Sequence, residues 1–244
     1  MLSDQHYLAA WLTGFRLASR YFRYECEGFE HVRAGPALLV AYHGRPHPAD
    51  VFMLSVRIYD ELGYMLPAVW ATTWGEVPAL RGLVSALGGF YGEPSAEQMA
   101  RLIAEGRHLV VCPGGTREAL RPAWQKTHVD WGERRGYLRL AARHGLPILP
   151  VAASGVDRMW FGLNDGYRLS KRLFGHGGWP VWLGVGFGGV WPFALPWPVR
   201  VRQRIGEPID VREFGSLDDP AALEAAHCAV TGKIQSMLEE LEAA

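Results

Sequence analysis

The sequence predicts an α/β fold, a single domain with a mostly parallel central sheet flanked by helices. Three observations predict it. Short apolar runs of strand length, Ala37–Val40, His108–Cys112 and Ile148–Ala152, alternate with stretches of helical periodicity. Glycine or proline follows each run within a few residues, as at a sheet edge. The chain has 244 residues, 49% hydrophobic and 20% charged, enough to bury a large core and too apolar for disorder.

Taken in order, residues 5–22 place Tyr7, Leu8, Trp11, Leu12, Phe15 and Leu17 at roughly helical spacing, with Arg16 and Arg20 interspersed. This is an amphipathic helix expected to pack on the domain, with a membrane surface as the second reading. We divide the chain into this N-terminal segment, residues 1–30, and an α/β domain, residues 31–244. The strand Ala37–Val40 runs into Ala41–Asp50, whose Pro46 and Pro48 exclude regular helix, and Asp50 is placed to cap a helix over Val51–Leu62. Tyr64–Ala71 reads as a strand interrupted by Pro67, and Pro78–Leu87 as a helix with proline in its first turn. A glycine turn, Gly88–Gly92, leads to a helix over Ser95–Glu105 that Gly106 stops. The strand His108–Cys112 precedes the Pro113–Leu120 loop, and a helix over Glu133–His144 precedes the strand Ile148–Ala152. Val199–Ile205 reads as a strand, and Pro220–Leu241 as a helix with Leu223, Val230, Ile234, Met237 and Leu241 on one side.

The segment Gly177–Val199 has no charged residue, but four prolines and six glycines argue against a spanning helix. Val181–Gly186 is read as core strand, and Trp191–Trp197 as lipid-facing. Gly184, Gly186 and Gly189 spell GxGxxG, yet Val-Trp-Pro follows where a dinucleotide site needs a helix to open, so that reading is rejected.

Net charge is zero, which gives no global field to recruit nucleic acid. Locally, Pro113–Gly145 carries seven Arg or Lys against three acids, while Glu207–Ala244 carries nine acids against two bases. Cys26, Cys112 and Cys228 are scattered, without CxxC spacing, as in a reducing cytosol. The N-terminus lacks the features of a signal peptide.

The chemistry concentrates in two loops. His43 follows the first strand, and Asp50 on the same loop can hold one ring nitrogen and leave the other as a base; alternatively Asp50 only caps its helix. His47 is the rival base, closer to Asp50 in sequence. Gly114 and Gly115 allow close backbone approach to an anion or carbonyl, with cationic Arg117 beside them. If both strands belong to one parallel sheet, both loops meet at its carboxyl edge. No GxSxG elbow occurs, and Cys112 lies inside a strand. The prolines keep His43, His47 and Asp50 off a common helix face, so no metal is assigned.

Tyr42-His43-Gly44 with Asp50, then Pro113-Gly114-Gly115-Thr116-Arg117-Glu118, Leu149-Pro150-Val151 and Gly206-Glu207-Pro208-Ile209 together resemble the glycerolipid acyltransferase superfamily over residues 37–210. That superfamily includes the lysophosphatidate acyltransferases and a diacylglycerol acyltransferase-like branch. The spacing departs from the family's usual histidine, four residues, aspartate, since six residues separate His43 from Asp50. Gly114 stands where the phosphate-headgroup enzymes carry glutamate, and the glycine pair followed by Glu118 is more similar to the diacylglycerol acyltransferase-like branch. No arginine occurs from Gly89 to Glu93, where the family's second motif places one.

The resemblance implies acyl transfer from acyl-CoA or acyl carrier protein to a lipid hydroxyl, with no cofactor beyond that co-substrate. His43 is then the general base oriented by Asp50, and Gly114, Gly115, Thr116, Arg117 and Glu118 bind substrate. It also implies a cytoplasmic enzyme held peripherally at the inner face of a membrane. Thioester or ester hydrolysis by the same base, and a non-catalytic lipid-binding module, are the alternatives.

Overall fold

The computed structural model describes residues 4–72, 77–179 and 181–244. The chain opens with helix α1 (Asp4–Tyr21) and strand β1 (Glu25–Glu27), followed by β2 (Leu38–Ala41) and α2 (Ala49–Leu62). Next come β3 (Val69–Trp70), α3 (Pro78–Ala86), β4 (Phe90–Tyr91), α4 (Ala96–Ala104) and β5 (Leu109–Val111). A short helix α5 (Gly115–Ala119) and α6 (Gly136–His144) lead to the longest strand, β6 (Ile148–Ser154). Then follow β7 (Phe161–Gly162), α7 (Gly166–Phe174), β8 (Gly184–Gly186), β9 (Gly189–Val190), β10 (Arg202–Ile205) and α8 (Pro220–Ala243).

The main sheet has the order β1-β10-β6-β2-β5. β2 pairs in parallel with β5 on one side and β6 on the other, with Leu38 opposite both Leu109 and Ile148. Beyond β5 a parallel bridge from Ala68 to Val110 brings in β3, which pairs in parallel with β4. β10 runs antiparallel to β6, and β1 pairs with it in parallel. The fold is thus α/β with a mostly parallel sheet, as the sequence predicts.

β2 and β6 are buried at every residue because both faces of the sheet are covered. Leu38 and Val40 point into one apolar cluster with Val230, Ile234 and Met237 of α8. Leu39 and Ala41, on the opposite face by strand alternation, pack with Val51, Leu54 and Ile58 of α2. α1 lies on α2 and α3. Its Trp11 and Phe15 rings sit 4.8 and 5.2 Å from the Phe52 ring, so helix packing occupies that apolar side. No helix among the described residues is long and apolar enough to cross a membrane.

The sequence misplaces several details. Asp50 is not the N-cap of α2; Pro48 holds that position and Asp50 lies inside the first turn, where a carboxylate meets the positive end of the helix. Pro67 limits the expected Tyr64–Ala71 strand to two residues, and the Gly88–Gly92 turn contains β4. The Pro113–Leu120 loop winds into α5, and α7 has no counterpart in the sequence reading. Ser95 caps α4 in a reciprocal pair with Gln98, as its position suggests.

Gly155 ends β6 and turns the chain toward the site. Its φ is +88°, and a Cβ there would lie 2.1 Å from the Arg200 carbonyl oxygen. Gly155→Ala is expected to destabilise the fold by about 2–4 kcal/mol, read as a lower urea midpoint.

Candidate active site

The parallel pairing of β2 with β5 places the His43 and Gly114 loops side by side at the carboxyl edge of the sheet. One buried side chain ties them together. Glu118, on α5, accepts the backbone N–H of His43 at 3.0 Å and that of Asp130 at 2.9 Å. Arg121 faces it at 3.6 Å, and its Nη2 donates to the His43 carbonyl at 3.4 Å. Both peptide groups of His43 are therefore held by one buried ion pair.

The glycine at position 114 has a specific cause. A Cβ there would lie 2.0 Å from the Glu118 Oε2, so a side chain at 114 and the Glu118 carboxylate exclude one another. Where the phosphate-headgroup enzymes carry a carboxylate at this motif position, this chain has glycine and fills the space from Glu118, one helical turn later.

The His43 ring is partly buried, and its Nδ1 lies 2.7 Å from the Gly44 carbonyl oxygen. A carbonyl only accepts, so Nδ1 carries the proton and Nε2 keeps its lone pair. Burial, helped by the charges of Arg121 and His47, pushes the ring down to about 4, leaving it neutral at physiological pH. His47 is likewise pushed to about 4 by burial, and its ring stacks on Phe52 at 6.1 Å.

The structure does not join Asp50 to either histidine. Its Oδ2 accepts from Gln203 Nε2 at 3.0 Å, and its Oδ1 is buried without a hydrogen-bond partner. Burial pushes this carboxyl up to about 7, against the pull of nearby amides and Gln203. The carboxylate whose field reaches His43 is Asp157, beyond the end of β6. It accepts from the Tyr42 hydroxyl and from the Thr127 backbone N–H (2.7 Å), and pairs with Arg45 at 3.3 Å, the Arg45 and Asp157 side chains both being buried.

The remaining sequence candidates are spent locally. The Gly115 N–H donates to the Cys112 carbonyl at 3.0 Å, and the Thr116 carbonyl accepts from Leu120 at 3.1 Å. Arg117 is exposed and pairs with Asp130 at 2.7 Å, and Arg134 Nη1 holds the Pro113 carbonyl at 2.8 Å. The Cys112 thiol is pushed well up by burial and is no nucleophile at neutral pH.

Sequence reasoning missed Arg45, Arg121, Asp157 and Gln203. Two of them left a signal. Arg121 stands three residues after Glu118, a helical ion-pair spacing, and Gln203 occupies an inward position of β10 between Val201 and Ile205. A cavity of about 340 Å³ adjoins this cluster, walled by Arg45, Asp157, Trp160, Phe161 and Trp197.

The buried titrations oppose one another. His43 and His47, depressed from 6.5 to about 4, contribute stability above pH 6.5 that is lost as pH falls through 4. Asp50 and Glu118, raised to about 7, contribute stability at low pH that is lost as pH rises through 7. Between pH 4 and 6.5 two proton gains offset two losses, and these four groups give a flat profile. Asp50→Asn removes one loss, so the stability of this variant is expected to rise relative to wild type by about 1.4 kcal/mol per pH unit across that window, measured by urea unfolding.

Comparison with known proteins matches this architecture to a family. Residues 23–154, more than half of the chain and including both loops, match the family described as Acyltransferase. A mouse protein described as a DGAT1/2-independent enzyme synthesizing storage lipids is 27% identical over 229 residues, which cover 91% of this chain and 65% of that one. The chain thus spans just under two thirds of that relative's length. An uncharacterized protein of Mycobacterium tuberculosis is 29% identical over 202 residues, 81% of this chain and 55% of its own length. The crystal structure of the lysophosphatidate acyltransferase PlsC from Thermotoga maritima superposes with a TM-score of 0.60 at 18% identity, covering 99% of this chain and 82% of that one. The chain belongs to the acyltransferase family, within the glycerolipid acyltransferase superfamily.

Proposed function

We propose that this acyltransferase moves a fatty acyl group from a thioester, acyl-CoA or acyl carrier protein, to the hydroxyl of a neutral lipid, with His43 as the general base. The single observation that carries the assignment is the Nδ1–Gly44 hydrogen bond of 2.7 Å, which leaves Nε2 as a neutral lone pair on a loop pinned at both peptide groups.

In this reading Nε2 takes the acceptor's O–H proton as that oxygen attacks the thioester carbonyl. The tetrahedral intermediate collapses with rupture of the C–S bond, and the imidazolium returns the proton to the leaving thiolate. Direct transfer needs no acyl-enzyme, and holding both substrates together supplies much of the rate. The thioester supplies the activated acyl group, so the step calls for no further cofactor.

Asp50 is assigned the stabilising carboxylate. Its Oδ1 is buried without a partner, and it takes the Nδ1–H when the charged ring turns from the Gly44 carbonyl. Gly114, Gly115 and Thr116 are assigned to the wall against which the substrate lies, held in shape by Glu118. A neutral acceptor is favoured because Arg117 is already neutralised by Asp130 at 2.7 Å. The similarity to an enzyme described as synthesizing storage lipids points the same way.

The test is thiol release from palmitoyl-CoA, and from the carrier-protein thioester, with diacylglycerol, a long-chain alcohol or lysophosphatidate as acceptor. Release is expected to require a neutral acceptor, to fall about 10²–10⁴-fold in His43→Ala, and to fall less in Asp50→Asn, with unchanged circular dichroism. Retained transfer by His43→Ala would refute the base assignment. Dependence on lysophosphatidate alone would refute the neutral acceptor, and release without any acceptor would make the enzyme a hydrolase.

A further inference from the structure

The small sheet β7-β8-β9 is built inside out. Along β8 and its flanks, Gly184 and Gly186 are buried while Leu183 and Phe187 are exposed, with Val185 between them on the outer side. The inner positions are glycine because aromatic rings fill that side, joined at Gly186 by the Leu195 carbonyl oxygen, 2.3 Å from where a Cβ would lie. A Cβ on Gly184 would lie 2.1 Å from the Trp182 ring, and one on Gly186 would lie 2.6 Å from the Trp160 ring. Since strand faces alternate, the apolar side chains of this strand are turned outward, where a sheet facing water carries polar ones.

The outer residues form one surface. Phe161 and Val190 both pair with Val185 across the sheet, Phe187 bridges to Leu195, and the Phe187 and Trp197 rings lie 5.7 Å apart. Phe193, 92% exposed, stands at the tip. Trp191, which the sequence places in the same lipid-facing run, instead turns inward onto Trp182 at 6.2 Å. An exposed aromatic surface of this extent marks a docking site.

Charge selects the partner. From residue 159 to 199 the only acid is Asp165, which caps α7 and pairs with Arg168. Lys171 and Arg172 project from the exposed end of α7 beside Leu173 and Phe174, and among the described residues neither forms an ion pair. Lys126 at the cavity is likewise unpaired among the described residues. Exposed aromatic and aliphatic side chains in a segment whose exposed cations Lys171 and Arg172 have no acidic partner among the described residues, Lys171 lying 5.9 Å from the centre of the Tyr167 ring, match the headgroup layer of an anionic bilayer.

We propose that the outer face of β7-β8-β9 and the Trp191–Trp197 strap is the surface by which this protein docks on an anionic bilayer, with Phe193 and Phe187 entering the headgroup zone and Lys171 and Arg172 meeting lipid phosphates. Phe161 and Trp197 belong both to this surface and to the wall of the cavity that reaches Arg45, two residues from His43. The cavity thus joins this surface to the segment that carries His43. The inference makes no demand on His43 and stands apart from the catalytic assignment.

The experiment is co-sedimentation of the full chain with phosphatidylcholine vesicles, with and without phosphatidylglycerol. Wild type is expected to bind the anionic vesicles. Phe187→Ser with Phe193→Ser is expected to lose about tenfold or more of that partitioning at an unchanged melting temperature. Lys171→Glu with Arg172→Glu is expected to weaken binding to anionic vesicles only, and added salt to mimic it. Activity of the serine variant on short-chain, monodisperse substrates is expected to match wild type, so a docking failure is distinguishable from a failure of the base assignment. Absent binding by wild type, or equal binding by the serine variant, would overturn the proposal. A wild-type dimer that the serine variant converts to monomer would reassign the surface to self-association.

Discussion

The architecture of the site depends on the buried pair Glu118–Arg121. Glu118 takes the amide of His43, Arg121 takes its carbonyl, and the same carboxylate reaches the amide of Asp130 on a third segment. A carboxylate accepts two amides without strain, so one side chain satisfies backbone donors from two loops that share no strand ladder. Without it those donors would be buried and unpaired, at a cost of about 1–3 kcal/mol each. Gly114 is the complement of this arrangement, since the space a Cβ would occupy is filled by the carboxylate.

Around that pair the protein concentrates charge where the sheet edge excludes water. Arg45 and Asp157 are both almost wholly buried, and the Arg121 guanidinium lies 4.8 Å from the centre of the Tyr42 ring. Burying ions is expensive unless partners replace the lost hydration; Tyr42 and Thr127 do so for one oxygen of Asp157 and backbone carbonyls for Arg121, while Arg45 Nε and Nη1 and Asp157 Oδ1 have no hydrogen-bond partner among the described residues. Such a network contributes little net stability. Its effect is positional, because a loop held by several directional contacts has few alternative conformations, which is what the proposed role of His43 as base requires.

The two central loops and the strands that deliver them were legible because hydrophobic periodicity and punctuation by glycine and proline act locally. Leu38–Ala41 and Leu109–Val111 lie where the apolar runs place them. What the sequence obscured was pairing at a distance. His43 and Asp50 share a loop, yet the ring turns to the Gly44 carbonyl and the carboxylate to Gln203, 153 residues away. Nothing in the spacing of six residues specifies which acceptor is nearer. Asp157 and Arg45, paired across 112 residues, were invisible for the same reason. The inverted β7-β8-β9 sheet was half legible: its composition set it apart, but only the burial of Gly184 and Gly186 reveals which face carries the apolar side chains.

The antiparallel placement of β10 has a topological consequence. Ser154, the last residue of β6, pairs with Arg202, the first of β10, and Gly155 lies against the Arg200 backbone. The whole excursion from 155 to 201, with α7, the small sheet and its aromatic tip, is therefore the loop of an oversized hairpin whose two feet touch. A loop with closed feet can lengthen at small entropic expense. Its outer part, beyond Trp160, can diverge in length and chemistry among family members while the central strands keep their register. Evolution can thus retune this outer face and leave the loops at the sheet's carboxyl edge untouched.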